Sequence, residues 1–104
     1  MTEVLDHWIA GATDAGEGSR TGPVYDPAQG IVAKEVRFAT AGDVDRAVRV
    51  AKEAFASWRN SSITKRQQVM FAFREILNQR KDELAAILTA EHGKVLSDAA
   101  GEIA

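Results

Sequence analysis

Two histidines, His7 and His92, and one glycine-rich stretch, Gly16-Glu17-Gly18-Ser19-Arg20-Thr21-Gly22, are the places where residue type and spacing could support chemistry. Structural zinc takes four nitrogen or sulfur ligands. Two separated histidines and no cysteine give no such set, so no metal residue is assigned. The missing cysteine also removes thiol nucleophiles and disulfides. A serine nucleophile would need a base oriented by a third group, and no nucleophile-elbow sequence is present. His92 has a structural use at a helix C-terminus, where a donor or cation complements exposed carbonyls. A phosphate cradle requires a glycine loop that follows a strand and opens directly into a helix. This loop opens into Pro23, so a flexible connection fits it better, with Arg20 the one residue favouring an anion. Gly93-Lys94 resembles the end of a P-loop, but the motif's first glycine would stand at position 88, which is Leu88. The basic pairs Lys65-Arg66 and Arg80-Lys81 lie among acids and read as solvated helix faces. Trp8, Phe55, Trp58, Phe71 and Phe73 read as packing residues, Phe71 lying off the main stripe. On residue chemistry alone, no catalytic, cofactor-binding or metal residue is assigned.

The elements that would have to position any site follow from length and pattern. At 104 residues the chain has room for one small domain. Its 45 % hydrophobic and 27 % charged content is that of a globular chain and excludes a low-complexity or disordered polymer. Thirteen basic and fifteen acidic residues leave a net charge of −2, which gives no electrostatic drive toward nucleic acid or an anionic membrane. Residues 1–40 hold six acids and three bases, too slight an imbalance to name a partner. No stretch approaches the roughly 20 apolar residues of a membrane span, and MTEVLDHWIA has no signal-peptide pattern. A cysteine-free chain of this kind is expected in the cytoplasm.

Residues 1–39 read as strands and turns, and residues 40–104 as helices. His7-Trp8-Ile9-Ala10 reads as a strand ending at Gly11, followed by a polar loop over 13–22. Pro23 to Asp26 is extended, Asp26-Pro27-Ala28-Gln29-Gly30 has turn chemistry, and Ile31–Phe38 is a strand with Val32, Val36 and Phe38 on one face. Thr40-Ala41-Gly42-Asp43 resembles a capping box with Asp in place of Glu. Val44, Ala47, Val48, Ala51, Ala54, Phe55 and Trp58 then recur at spacings of three and four, a helix with one buried face. Asn60-Ser61-Ser62 interrupts it. Thr64, with Gln67 three residues on, restarts a helix whose stripe is Val69, Met70, Phe73, Ile76 and Leu77. Arg80-Lys81-Asp82-Glu83 marks a bend, Leu84, Ile87 and Leu88 carry a third segment, Gly93 ends it, and Ser97 caps a fourth. The fourth runs to Ala104 without a stop signal, and two turns containing a glycine are marginal alone. That ending reads as a fragment.

The ordered set Asp26-Pro27-Ala28-Gln29-Gly30, Asp43-Val44-Asp45-Arg46-Ala47-Val48, Ala54-Phe55-Ala56-Ser57-Trp58, Asp82-Glu83-Leu84-Ala85 and Glu91-His92-Gly93-Lys94 resembles the N-terminal segment of the aldehyde dehydrogenase superfamily. Within it, His7-Trp8-Ile9, Met70 to Glu75 and Glu91 to Ile103 are similar to the CoA-acylating methylmalonate-semialdehyde dehydrogenases. The resemblance implies an α/β parent with a Rossmann-like cofactor domain, of which residues 1–104 form the N-terminal part, short strands followed by three to four amphipathic helices. It implies NAD as cofactor, CoA as acyl acceptor, a small semialdehyde as substrate, and a homodimer or homotetramer. It implies oxidation of methylmalonate or malonate semialdehyde to propionyl-CoA or acetyl-CoA, in valine and inositol breakdown. A generic NAD(P)-dependent aldehyde dehydrogenase, or a non-catalytic interaction module, is the alternative. The family's nucleophile is a cysteine, so this segment is expected to be inactive alone, and no catalytic residue carries over.

Overall fold

The computed structural model describes residues 2–104 as five strands followed by four helices. The strands are β1 (Glu3–Leu5), β2 (His7–Ile9), β3 (Ala12–Asp14), β4 (Thr21–Asp26) and β5 (Ile31–Arg37), and the helices α1 (Ala41–Trp58), α2 (Ile63–Gln79), α3 (Lys81–His92) and α4 (Leu96–Ile103). They divide into two units, residues 1–24 with 32–60, and residues 25–31 with 61–104. Among the described residues no helix is long and apolar enough to cross a membrane.

In the first unit, β2 and β3 form an antiparallel hairpin, with His7 opposite Asp14, Trp8 opposite Thr13 and Ile9 opposite Ala12. Ala10 and Gly11 both take positive φ, 56° and 78°, which makes the two-residue reversal. The polar loop expected over 13–22 is therefore confined to 15–20, because Ala12–Asp14 pairs back onto His7–Ile9 despite weak strand propensity and Thr21 and Gly22 already belong to β4. The sequence also gave no sign of β1, whose partner is remote. It runs parallel to β5, Glu3 beside Lys34 and Leu5 beside Val36, in a sheet of order β1-β5-β4. Asp6, just after β1, holds Arg37 at the end of β5 by an ion pair of 2.5 Å. Phe38 lies beyond β5. Its amide donates to the Arg20 carbonyl at 2.9 Å, and its ring covers Gly22 so closely that a Cβ there would sit 2.3 Å from Cζ.

α1 starts where the capping pattern places it. The Thr40 hydroxyl accepts from the Asp43 amide at 3.1 Å, and the Asp43 carboxylate accepts from the Thr40 amide at 2.9 Å. The buried apolar face expected along this helix is not found: Val44, Val48, Phe55 and Trp58 are exposed, and Asp43 is the helix's one buried residue. Trp8, Phe71 and Phe73, expected to pack, are exposed as well. Periodicity states that a face is apolar, and this segment does not supply its cover.

In the second unit, the turn at 26–30 is closed by the Asp26 carboxylate, which accepts from the amides of Ala28 (3.0 Å) and Gln29 (3.2 Å), while the Gly30 amide bonds the Asp26 carbonyl. α2 begins one cap earlier than Thr64. Ser62 has the extended backbone of an N-cap and accepts from the Lys65 amide at 3.2 Å, which leaves Thr64 inside the first turn. Arg80 forms the bend into α3 and grips Glu83 through two bonds of 2.8 and 2.6 Å. Gly93, at φ 87°, ends α3 in the left-handed cap expected of it, its amide donating to the Thr89 carbonyl at 2.8 Å. α4 starts at Leu96 with Val95 as cap, so Ser97 is a first-turn residue and caps nothing. α3 and α4 pack through Ala85 and Ala99, both buried, and Lys94 pairs with Glu102 across the turn. Small side chains at the crossing permit that close approach.

Candidate functional site

The densest cluster of charged and polar groups lies where the β2–β3 hairpin meets the start of α1. Its centre is Asp43, 1 % exposed. A buried carboxylate is tolerated only when its lone pairs are filled, and here they are. Oδ2 accepts the Thr40 amide at 2.9 Å, Oδ1 accepts the Glu17 amide at 3.0 Å, and the Arg46 guanidinium stands 3.7 Å from Oδ1. Arg46 also bonds Asp14 Oδ2 at 2.6 Å, and Asp14 Oδ1 accepts the Gly16 amide at 2.8 Å. One guanidinium therefore bridges the carboxylate at the hairpin's end and the one at the helix start.

These bonds hold both acids in the charged form. The Arg46 bond, then the Gly16 amide, lowers the Asp14 pKa below the ordinary carboxylate value. The Thr40 amide does the same for Asp43 and outweighs the desolvation that opposes it. The bond to Asp14 raises Arg46 in turn.

Gly16 is what allows the cluster to close. Its φ is +70°, and a Cβ would stand 2.8 Å from Asp43 Oδ2 and 3.0 Å from His7 Nε2. No larger residue fits either the backbone or the space. His7 occupies the other side of that point, with Nε2 buried and without a hydrogen-bond partner among the described residues. Beside it lies an open depression of about 260 Å³ lined by His7, Trp8, Ile9, Ala39, Asp43, Val44 and Ala47.

The glycine stretch singled out in the sequence thus does cradle an anion, and the anion is internal. The amides of Gly16 and Glu17 already serve Asp14 and Asp43. The loop leads into β4 at Thr21 and not into a helix, so it lacks the helix N-terminus on which a dinucleotide's phosphates sit. Arg20 lies over the Phe38 ring at 5.7 Å. His92 forms the last turn of α3, as expected, and Arg80 is engaged with Glu83. Among the described residues no three His, Cys, Asp or Glu are grouped to hold a metal ion. Sequence reasoning missed the joining of Glu17 to Asp43, although a glycine on each side of Glu17 and an acid at the third helical position were its visible parts. The cluster can fix geometry, and no nucleophile stands beside a base in it.

The family model described as "Aldehyde dehydrogenase family" matches residues 14–104. The chain belongs to the aldehyde dehydrogenase family. Among curated aldehyde dehydrogenases it is 43 % identical over 102 residues to malonate-semialdehyde dehydrogenase 1 of Geobacillus kaustophilus, covering 98 % of this chain and 21 % of that one. A methylmalonate-semialdehyde dehydrogenase structure from Oceanimonas doudoroffii superposes with a TM-score of 0.93 at 39 % identity, covering 99 % of this chain and 21 % of that one. A structure from Sinorhizobium meliloti, assigned as a methylmalonate-semialdehyde dehydrogenase and complexed with NAD, superposes with a TM-score of 0.95 at 36 % identity, covering 98 % and 21 %. The chain spans about a fifth of the length of the aldehyde dehydrogenases it matches. The fold implied by the motifs, short strands leading into helices of an aldehyde dehydrogenase, is the one observed.

Proposed function

We propose that residues 1–104 serve as the N-terminal part of the cofactor domain of an NAD-dependent, CoA-acylating dehydrogenase of methylmalonate or malonate semialdehyde. The observation that carries this is the agreement, over nearly the whole chain, with semialdehyde dehydrogenases in both sequence and backbone. In the reaction the aldehyde carbon loses a hydride to NAD and gains a bond to the CoA sulfur, while the carboxylate leaves as carbon dioxide. Methylmalonate semialdehyde gives propionyl-CoA, and malonate semialdehyde gives acetyl-CoA. The CoA thiol proton ends on the carbon that loses carbon dioxide, so no external acid, base or further redox partner is consumed.

This segment contributes scaffold. The Asp14–Arg46–Asp43 bridge sets the hairpin against α1, and Gly93 sets α4 against α3. NAD would be held by residues outside this chain, because the one glycine loop here leads into a strand and not into a helix N-terminus. With no cysteine, the 104-residue chain has no thiolate to attack an aldehyde and is inactive alone. The parent is a cytoplasmic homodimer or homotetramer.

The test is NADH formation by the product of the uninterrupted gene, followed at 340 nm with malonate or methylmalonate semialdehyde. NADH formed only when CoA is present supports the acylating reading. Formation with simple aldehydes and without CoA replaces it by a general aldehyde dehydrogenase, and turnover by residues 1–104 alone overturns the scaffold role.

A further inference from the structure

We draw no further inference here: the strongest candidate, the open depression of about 260 Å³ between β2 and the first turns of α1, carries none, because the Asp43 carboxylate is already filled by the Thr40 and Glu17 amides and His7 Nε2 is buried against Gly16, which leaves an apolar lining that nothing in the structure shows to be covered by any particular ligand or partner.

Discussion

The two halves of α1 share one spacing and meet different surroundings. In residues 41–50 the helix is held by charge: Asp43 is buried among the Thr40 and Glu17 amides and the Arg46 guanidinium, and Arg46 reaches across to Asp14. In residues 51–60 nothing is buried, although Phe55 and Trp58 are the helix's largest apolar side chains. Polar contacts in this segment close on themselves and apolar contacts do not. Hydrogen bonds are directional and satisfied by a few atoms nearby, whereas burying an aromatic ring takes a whole facing surface. A chain that spans about a fifth of its relatives' length contains the first and lacks the second.

That contrast can be broken most forcefully at Gly16. Gly16→Ala places a methyl group against Asp43 and His7 and forces an L-residue to φ +70°. The backbone term alone costs about 1–3 kcal/mol, and a large fall in the urea midpoint of the chain is expected. Asp43→Asn comes next. It keeps the shape, removes the anion, and turns one acceptor into a donor facing an amide, so the chain should be destabilised and hydrogen exchange at the Glu17 and Thr40 amides should quicken. An unchanged exchange rate at Glu17 would show that the cradle does not hold the loop.

Thr40→Ala removes the hydroxyl that accepts the Asp43 amide and should cost about 1 kcal/mol, with Thr40→Ser recovering most of it in the same denaturation measurement. Acid acts through the same groups. Asp14 and Asp43 both titrate below the free carboxylate range, so their contribution is complete above about pH 4, the value of the unfolded chain, and is lost as the pH falls through their lower folded values. An acid titration followed at the Glu17 amide should be flat from pH 7 to 5 and move only below about pH 4. Smallest of all, Phe55→Ser on the open second half should change the stability of the 104-residue chain by no more than about 0.5 kcal/mol. A loss of several kcal/mol there would mean that the face is already covered, and the contrast between the halves would fail.

What was legible in the sequence was whatever a few neighbouring residues decide. Thr40 with Asp43, the Asp26-Pro27 turn and the left-handed Gly93 cap each depend on a window of four or five positions, and each forms as read. β1 was not legible, because three residues carry little propensity and its partner, β5, lies some thirty positions away. Ala12–Asp14 is a strand because His7–Ile9 is opposite it, and its own side chains do not announce it. Ser62 and Thr64 can both cap, and the choice falls to the residue whose extended backbone lets its oxygen reach an amide three places on. Half of the Asp43 cradle was visible as a capping box, and the Glu17 half comes from 26 residues upstream. The apolar stripe of α1 is present but open, since periodicity specifies that a face is apolar and is silent on what covers it.

The close approach of Gly93 to Pro27 has a consequence in time. A Cβ at Gly93 would lie 3.0 Å from the Pro27 ring, so the turn at 26–30 and the end of α3 are neighbours more than sixty positions apart in sequence. The turn belongs to the unit whose remaining residues begin at Ser61, although residues 32–60 complete the other unit first along the chain. As the polypeptide leaves the ribosome, Pro27 is made early and waits for Gly93. Contacts of such separation form late, after local helices and hairpins. In a pulse-labelling experiment the Gly30 amide, bonded only within its own turn, should be protected early, while the Gly93 amide, which bonds the Thr89 carbonyl beside the Pro27 ring, should reach full protection later.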